Sequence, residues 1–124
     1  MYNFIFFNFR IVKNVMIKIN KHDLLLKYKD KDDFIFNQLL NIVEYPFNEI
    51  FEYADGNIYI GETENKKRHG YGFYIYEDIK AIYQGQWKEN SKNGYGILYN
   101  KNDVIYSGKL LNSQIVVTIL KKIE

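Results

Sequence analysis

The residues of this chain that could do chemistry are few, and they stand apart along the sequence. Its two histidines, His22 and His69, belong to no His-Glu-x-x-His or similar metal-binding arrangement. Three serines lack both an adjacent base and the context of a nucleophile elbow: Ser91, Ser107 and Ser113. Several carboxylates alternate with opposite charges and indicate solvated strand edges: Glu62, Glu64, Glu77 and Asp78. The sequence therefore predicts a non-catalytic protein without a metal site.

The composition excludes further classes of function. The chain has no Cys, which excludes a disulfide framework and a thiolate metal site. The Gly-Tyr-Gly segments lack the spacing of a phosphate-binding loop, so we expect no cofactor and no small-molecule substrate. The formal net charge is only +2 and acidic residues are interleaved with basic ones, so nucleic-acid binding is not indicated. We expect an intracellular protein, and the bias towards Asn, Lys, Ile and Tyr is typical of the AT-rich genomes of some protists.

One compact basic cluster is present, formed by Lys66, Lys67 and Arg68. An anionic bilayer attracts a polybasic segment by about 1 kcal/mol per Lys or Arg, so this cluster supplies about 3 kcal/mol. Millimolar binding already corresponds to about 4 kcal/mol, so one copy of the cluster is too weak to anchor the protein. Contact with anionic lipid headgroups through several copies is therefore the alternative to a soluble, solvated loop.

A repeated pattern dominates the second half of the chain. The first unit contains Tyr59, Gly61, Gly70 and Gly72. The same residue types recur 24 positions later, with Trp87 among them, as Tyr83, Gly85, Gly94 and Gly96. A third unit begins with Tyr106 and Gly108, but its second pair of glycines is missing. Such a fixed period is typical of proteins built from stacked structural repeats.

Each unit has the pattern of a β-hairpin. Side chains alternate between the two faces of a strand, which places Tyr83, Gly85 and Trp87 on one face. We expect the polar run KENSKN to form a loop and GYGILY to return as the second strand. The expected opposite pairs are Gly85 with Gly96, Tyr83 with Leu98, and Trp87 with Gly94. Glycines opposite aromatic residues leave room for rings to lie flat over bare backbone.

The first fifty residues follow another pattern. Residues 14–29 contain short apolar runs on either side of a polar segment, which predicts two short strands. Residues 32–45 predict a helix that is capped by Asp32 or Asp33 and ends at Pro46. The expected apolar face of this helix consists of Ile35, Phe36, Leu39, Leu40 and Val43.

These elements predict a mainly β fold, a row of antiparallel β-hairpins with a small α+β N-terminal extension. Residues 47–53 predict a strand that leads into the first repeat, and residues 114–124 predict a final strand that closes the sheet edge. We divide the chain into an N-terminal extension or cap, residues 1–50, and a β-hairpin repeat domain with a degenerate third repeat, residues 51–124.

The repeat units resemble the MORN repeat (membrane occupation and recognition nexus), whose pattern is Tyr-x-Gly-x-Trp, a polar loop, Gly-x-Gly and an aromatic-rich strand. The segments YADGNIYIGETENKKRHGYGFYIY and YQGQWKENSKNGYGILY carry the resemblance. It implies a single-layer, twisted row of hairpins that binds partners rather than catalyses a reaction. Proteins of this family are similar in mediating protein contacts and dimerisation, in cytoskeletal or membrane-adjacent placement, and in proposed phospholipid binding.

The sequence departs from the family pattern at several positions. Thr63 and Leu110 stand where the second unit has Trp87, and Lys66 and Asn90 stand where the family has a loop glycine. Asn tolerates left-handed backbone geometry better than Lys does. These departures keep the hairpin architecture but argue against an extended, regular array.

Strand alternation leaves apolar side chains on both faces of the predicted sheet. One face carries Tyr59, Tyr74, Tyr83, Trp87 and Leu98. The other carries Ile60, Tyr71, Phe73, Ile75, Tyr95 and Ile97. Because large exposed apolar patches are rare in monomers, we expect Met1–Pro46 to cover part of one face and a protein partner or a second copy to cover the rest.

The function that the sequence favours is a protein scaffold or adaptor in a cytoskeletal or membrane-adjacent assembly. The alternative is a peripheral membrane module that binds anionic phospholipid headgroups through Lys66, Lys67 and Arg68. The expected location is therefore the cytoplasm, the cytoskeleton or a membrane surface.

Overall fold

The structure of the chain, a computed structural model, describes residues 16–46, 49–111 and 114–119. This part forms an eight-stranded sheet in which each strand pairs antiparallel with the next strand along the chain. The strands are β1 (Met16–Lys18), β2 (Glu49–Tyr53), β3 (Ile58–Glu64), β4 (Lys67–Tyr76), β5 (Ala81–Lys88), β6 (Ser91–Tyr99), β7 (Val104–Leu111) and β8 (Gln114–Ile119). Two helices in this part join β1 to β2, namely α1 (Lys21–Lys29) and α2 (Asp33–Ile42). The predicted mainly β row of hairpins is confirmed.

Tight turns close the two repeat hairpins. Asn65 and Lys66 join β3 to β4 with φ angles of 52° and 65°, and Glu89 and Asn90 join β5 to β6 with φ angles of 49° and 72°. Positive φ at both central residues is typical of a type I′ turn, whose twist matches that of the flanking strands. The predicted KENSKN loop is therefore wrong, because the polar residues on both sides of the turn continue the strand ladder.

The register of the second hairpin agrees in part with the prediction. Two predicted pairs are confirmed: Gly85 with Gly96 and Tyr83 with Leu98. The predicted pairing of Trp87 with Gly94 is wrong, since Trp87 lies opposite Lys92. The physical reason is a β-bulge between Gly85 and Trp87, which shifts the ladder before the tight turn. The first hairpin has a corresponding shift between Gly61 and Thr63.

The segment that follows β1, predicted as a strand, forms α1 instead. Asn20 caps this helix, and its side-chain oxygen accepts a hydrogen bond from the backbone N–H of Asp23 at 2.7 Å. Leu24 and Tyr28, four residues apart, are the buried side chains of α1. The prediction fails because three consecutive leucines hide the helical period. The cap and the high helix propensity of Leu and Lys decide the local structure.

The second helix, α2, follows the prediction closely. The Asp32 carboxylate caps it by accepting a hydrogen bond from the backbone N–H of Ile35 at 2.9 Å, and the helix ends before Pro46. Its buried positions are Ile35, Leu39, Ile42 and Val43. The placement of Leu40 on the buried face is wrong, because this side chain is 44% exposed. Ile42 is buried instead, as the spacing i, i+4, i+7 from Ile35 requires.

Both helices pack on one side of the sheet, which we name the helix face. Its buried helix residues are Leu24, Tyr28, Ile35, Leu39, Ile42 and Val43. Its buried sheet residues are Ile50, Ile58, Ile60, Phe73, Ile75 and Ile82. We expected Met1–Pro46 to cover part of one face, and within this segment α1 and α2 cover part of the helix face. Residues 1–15, 47–48, 112–113 and 120–124 lie outside the described part, so the strands predicted for residues 47–53 and 114–124 are described only as β2 and β8. Neither α1 nor α2 has the length and apolar character needed to cross a membrane.

Candidate functional site

The opposite side of the sheet, which we name the aromatic face, is lined mainly by tyrosine. Its buried side chains are Phe51, Tyr59, Tyr83, Trp87 and Leu110. Its half-buried side chains are Met16, Tyr53, Tyr74, Tyr76, Leu98 and Tyr106. All of these residues belong to strands, and neither α1 nor α2 contributes to the cluster. Within the described part of the chain, the two helices cover part of the helix face, and no helix covers the aromatic face.

In each complete repeat, a buried tyrosine ring lies on the bare backbone of a glycine pair. Gly61 and Gly72 lie opposite each other, and a Cβ added to Gly72 would come within 2.6 Å of Cζ of Tyr59. The second repeat places Tyr83 over the corresponding pair, where a Cβ added to Gly96 would come within 2.5 Å of the ring Cζ. Because real Cβ atoms do not approach ring carbons so closely, only glycine fits beneath these rings.

Hydrogen bonds fix the position of both rings. The hydroxyl of Tyr59 donates to the carbonyl of Glu62 at 2.6 Å, and that of Tyr83 donates to the carbonyl of Gln86 at 3.0 Å. The side chains of these two acceptor residues bind backbone N–H groups of the return strands: Tyr71 to Glu62 at 2.6 Å and Tyr95 to Gln86 at 2.7 Å. Sequence reasoning missed these bonds, although Glu62 and Gln86 also lie 24 residues apart.

The first glycine of each return strand, Gly70 or Gly94, leaves room for the side chain of Glu62 or Gln86 to make this hydrogen bond. Gly70 and Gly94 have φ angles of 77° and 98°, a left-handed backbone that L side chains rarely adopt. A Cβ at Gly70 would collide with the Glu62 carboxylate, and one at Gly94 would collide with the Gln86 amide. The four return-strand glycines thus serve two different purposes, ring packing and backbone geometry.

Trp87, the one tryptophan in the sequence, connects the two repeats. Its ring meets Tyr59 and Tyr83 edge-on, with ring centres 5.4 Å and 5.3 Å apart. Its Nε1–H donates to the carbonyl of Gly72 at 3.3 Å, and the side chain is 5% exposed. Such aromatic pairs contribute about 0.5–1.5 kcal/mol each beyond the area that they bury.

Two half-buried cations lie over the rings of the aromatic face. The guanidinium of Arg68 lies 5.2, 5.1 and 5.0 Å from the ring centres of Tyr53, Tyr74 and Trp87. The ammonium of Lys92 lies 4.9 and 5.0 Å from the ring centres of Tyr76 and Tyr83, and it donates to the Tyr76 hydroxyl. The sequence groups Arg68 with Lys66 and Lys67 in one loop. The structure instead places Arg68 in β4, while Lys66 and Lys67 are exposed at and beside the turn.

Burial shifts the protonation of these groups. It raises the pKa of Tyr106 to about 12, and it also raises the pKa values of Tyr53, Tyr59, Tyr74, Tyr76 and Tyr83. The phenols therefore stay neutral and protonated at physiological pH. Burial, followed by the charge of Arg68, lowers the pKa of Lys92.

The histidines do not form a site together. His69 lies in β4 with Nε2 at 3.1 Å from a Glu64 carboxylate oxygen, and His22 is exposed on α1. Within residues 16–46, 49–111 and 114–119, no group of three or more His, Cys, Asp or Glu side chains could hold a metal ion.

The third unit continues the sheet without a complete glycine pair. Tyr106 lies opposite Leu98, and Gly108 lies opposite Gly96. On its other side Gly108 pairs with Thr118 of β8, where a complete repeat has a glycine. The sheet thus extends beyond the two units in which a tyrosine ring lies on paired glycines.

The family model of the MORN repeat matches residues 59–78 and 83–104, which contain the two units just described. The chain contains MORN repeats. MORN repeat-containing protein 3 of Xenopus laevis is 42% identical over 43 residues, which are 35% of this chain and 18% of that protein. Because the chain spans less than a fifth of the length of this curated relative, the similarity concerns the MORN repeats and not the whole protein.

Proposed function

We propose that this MORN-repeat chain is a non-catalytic interaction module that acts as a protein scaffold or adaptor. The observation that carries the proposal is the aromatic face, where half-buried tyrosines line a sheet surface on which neither α1 nor α2 packs. The chain's own helices bury part of the helix face. The central rings of the aromatic face are buried within the sheet, and we infer that its half-buried side chains are available to a partner.

The residue types of the aromatic face suit a protein interface. Tyr, Trp, Met and Arg are enriched in the cores of protein–protein interfaces. Tyrosine offers a large, rigid contact area at a low cost in side-chain entropy, and its hydroxyl adds a hydrogen bond. We propose that a second protein, or a second copy of this chain, covers the face. The proposed setting is an intracellular cytoskeletal or membrane-adjacent assembly, because MORN repeats are typically interaction or membrane-associated modules.

Paired substitutions on the aromatic face test this function. Leu98→Ser combined with Tyr106→Ser changes two opposed, half-buried side chains. Ile79→Ser is the matched control, since Ile79 is 54% exposed and lies in the turn between β4 and β5. Quantitative pull-down with the full chain measures partner binding, sedimentation measures self-association, and thermal melting checks folding.

We expect the double variant to lose a partner, or the self-associated species, that the Ile79→Ser control retains. Equal retention by both folded proteins would exclude the aromatic face as the docking surface.

The alternative function is peripheral membrane binding through Lys66, Lys67 and Arg68. The exposure of Lys66 and Lys67 favours it. The placement of Arg68 over aromatic rings and a distance of 3.9 Å between Lys67 Nζ and a Glu89 carboxylate oxygen weaken it. Co-sedimentation with phosphatidylserine vesicles separates the two functions. Salt-sensitive binding that is lost on Lys66→Glu with Lys67→Glu supports lipid, and no binding by the unsubstituted chain excludes it.

A further inference from the structure

The helix face repeats its apolar pattern from one MORN repeat to the next, but only the first copy of the pattern is well covered. Tyr71 and Phe73 of β4 recur 24 residues later as Tyr95 and Ile97 of β6. Phe73 is buried and Tyr71 is half-buried, whereas Tyr95 is 65% exposed. Leu111 of β7 is exposed on the same side of the sheet. The apolar residues thus continue into the second repeat without the same cover.

The course of α2 explains why the second repeat is left open. Phe34, at the start of the helix, meets the ring of Tyr99 in β6 edge-on, with ring centres 6.2 Å apart. Tyr45, three residues beyond the end of the helix, stacks on Tyr71 in β4 with ring centres 6.4 Å apart. The helix therefore begins beside β6 and ends beside β4, so it moves away from Tyr95. We name the surface that it leaves uncovered the open patch: Tyr95, Ile97, Lys109 and Leu111.

The open patch has the dimensions of one further helix. Two strands, β6 and β7, are about 10 Å wide, which is the diameter of a helix with its side chains. From Tyr95 to Tyr99, β6 extends about 13 Å, the rise of about nine helical residues. The helix that covers the first repeat, α2, has 10 residues. A helix of this size would therefore continue the layer that α1 and α2 begin.

One cation marks the open patch. The ammonium of Lys109 lies 6.0 Å from the ring centre of Tyr95, and its side chain is exposed. No described carboxylate forms an ion pair with Lys109. Acidic side chains on the flank of an incoming helix would complement this charge.

We propose that the open patch binds one amphipathic helix of a partner protein, apolar towards Tyr95, Ile97 and Leu111 and acidic towards Lys109. The template for this occupant is α2, an apolar helix with acidic ends that packs on the corresponding positions of the first repeat. Docking of an amphipathic helix by its apolar face is a recurrent mode of peptide recognition. The inference goes beyond the proposed function, because the open patch lies on the other side of the sheet from the aromatic face.

A peptide with the sequence of residues 32–46 is the probe for this site. The full chain, labelled at its Ile and Leu methyl groups, is titrated with the peptide and followed in ¹H–¹³C spectra. We expect saturable shifts of the methyl signals of Ile97 and Leu111. The signals of Ile75, which is buried in the core beneath the chain's own helices, should stay in place.

A matched peptide tests whether the apolar face of the helix is what binds. It carries Ile35→Ser, Leu39→Ser and Ile42→Ser, which remove the side chains that α2 buries in the chain itself. We expect this peptide to leave the methyl signals of the full chain unchanged.

Variants of the full chain locate the binding surface. Tyr95→Ser combined with Leu111→Ser should weaken binding of the peptide at least tenfold, with Ile97 as the remaining reporter. Lys109→Glu should also weaken binding, and more strongly at low salt. Ile79→Ser, at an exposed position in the turn between β4 and β5, should leave it unchanged. Thermal melting checks folding, and Lys109→Glu decides if the double variant does not fold.

Several outcomes would overturn the inference. Shifts at Ile75 would show that the peptide displaces α2, and equal binding of the Ser-substituted peptide would show unspecific adhesion. Shifts at Ile97 and Leu111 caused by phosphatidylserine vesicles alone, or by concentrating the chain without peptide, would assign the open patch to a membrane or to a second copy. The absence of any response would exclude a docking site.

Failure of this inference is distinguishable from failure of the proposed function. A partner that is lost from the Leu98→Ser, Tyr106→Ser variant, in a chain that binds no helical peptide, would keep the docking role of the aromatic face and exclude that of the open patch.

Discussion

At the scale of single residues, the structure depends on tyrosine rings that lie on glycine backbone. No described helix covers the aromatic face, so each ring must find its cover within the sheet. Paired glycines supply it, and Tyr59 and Tyr83 are both 0% exposed. Burial of one such ring stabilises the fold by roughly 1.5–3 kcal/mol.

We expect Gly72→Ala to lower the free energy of unfolding by about 1–3 kcal/mol, because the added methyl group overlaps the ring of Tyr59. Urea denaturation measures the change. In a Tyr59→Leu background the cost of Gly72→Ala should shrink, since the overlapping ring is gone. The same cost in both backgrounds would contradict the packing of this ring on glycine.

The turn residue Lys66 is expected to carry strain that glycine relieves. Its φ of 65° costs about 1–2 kcal/mol for a residue with a Cβ, and glycine avoids this cost. Lys66→Gly should therefore raise the free energy of unfolding by about 1 kcal/mol, because the greater entropy of glycine in the unfolded chain offsets part of the gain. Asn90→Gly is the control. The Asn90 side chain accepts a hydrogen bond from the backbone N–H of Arg68 at 2.9 Å, and because glycine loses this bond we expect no gain in stability. Thermal melting that shows no gain for Lys66→Gly would refute this account.

The sequence predicts much of this residue-level design, and the missing part has a physical reason. The glycine pairs and their aromatic neighbours follow from strand alternation and the repeat period. The position of Arg68 over Trp87 does not, because the type I′ turn and the β-bulge reset the register between them. The bond from Tyr71 N–H to Glu62 requires the left-handed backbone at Gly70, which residue types alone do not reveal.

At the scale of elements, the turn between β4 and β5 holds α1 against the sheet. The hydroxyl of Tyr28 donates to the Glu77 carboxylate at 2.5 Å, and Lys31 forms an ion pair with the same carboxylate. Lys80 approaches it at 3.7 Å. Burial alone would raise the pKa of Glu77, but the hydrogen bonds from Lys31 and Tyr28 and the nearby positive charges lower it.

This lowered pKa predicts a pH-dependent contribution to stability. A carboxyl group with a lower pKa in the folded state stabilises the fold above its ordinary value of 4.5, and the contribution is lost as the pH falls through the folded-state pKa. Glu77→Gln should therefore cost about 1 kcal/mol at pH 7, because the ion pairs are partly solvated, and progressively less below about pH 4. Denaturation at several pH values, with exposed Asp78→Asn as the control, measures it. A cost that does not vary with pH would show that the charge of Glu77 is irrelevant.

The sequence pattern predicts one of the two helices, α2, and misses the other, α1. The cap at Asp32 and the spacing of Ile35 and Leu39 predict α2. Residues 21–29 give a weaker signal, because Leu24 and Tyr28 are the only buried side chains of this helix. The cap at Asn20 is the remaining sign of α1, and this residue lies in the polar segment between the two strands that the sequence predicts.

At the scale of the whole molecule, the two faces share the same strands. Tyr59 points to the aromatic face, and the adjacent Ile58 and Ile60 point to the helix face. A change on one side therefore reaches the other through one strand. For this reason we propose that residues 16–46 and the MORN repeats unfold as one unit, despite the division drawn at residue 50 from the sequence.

Two probes of one unfolding experiment test this proposal. Circular dichroism at 222 nm follows the helices, and Trp87 fluorescence follows the aromatic face. We expect coincident transitions in the unsubstituted chain. Leu39→Ala, which removes a fully buried side chain from the helix face, should shift both by about 2–5 kcal/mol. A shift in the helical signal alone would indicate two independent units.

The aromatic face depends on rings resting on bare backbone, and the α-proton chemical shifts of the glycines test that contact most directly. A proton beneath an aromatic ring is shielded by the ring current, so its resonance moves upfield. In a ¹H–¹³C spectrum of the full chain we expect upfield α-protons at Gly72 and Gly96. Tyr59→Leu should restore ordinary shifts at Gly72 alone, and Tyr83→Leu should do so at Gly96 alone. Ordinary shifts at both glycines in the unsubstituted chain would contradict the account.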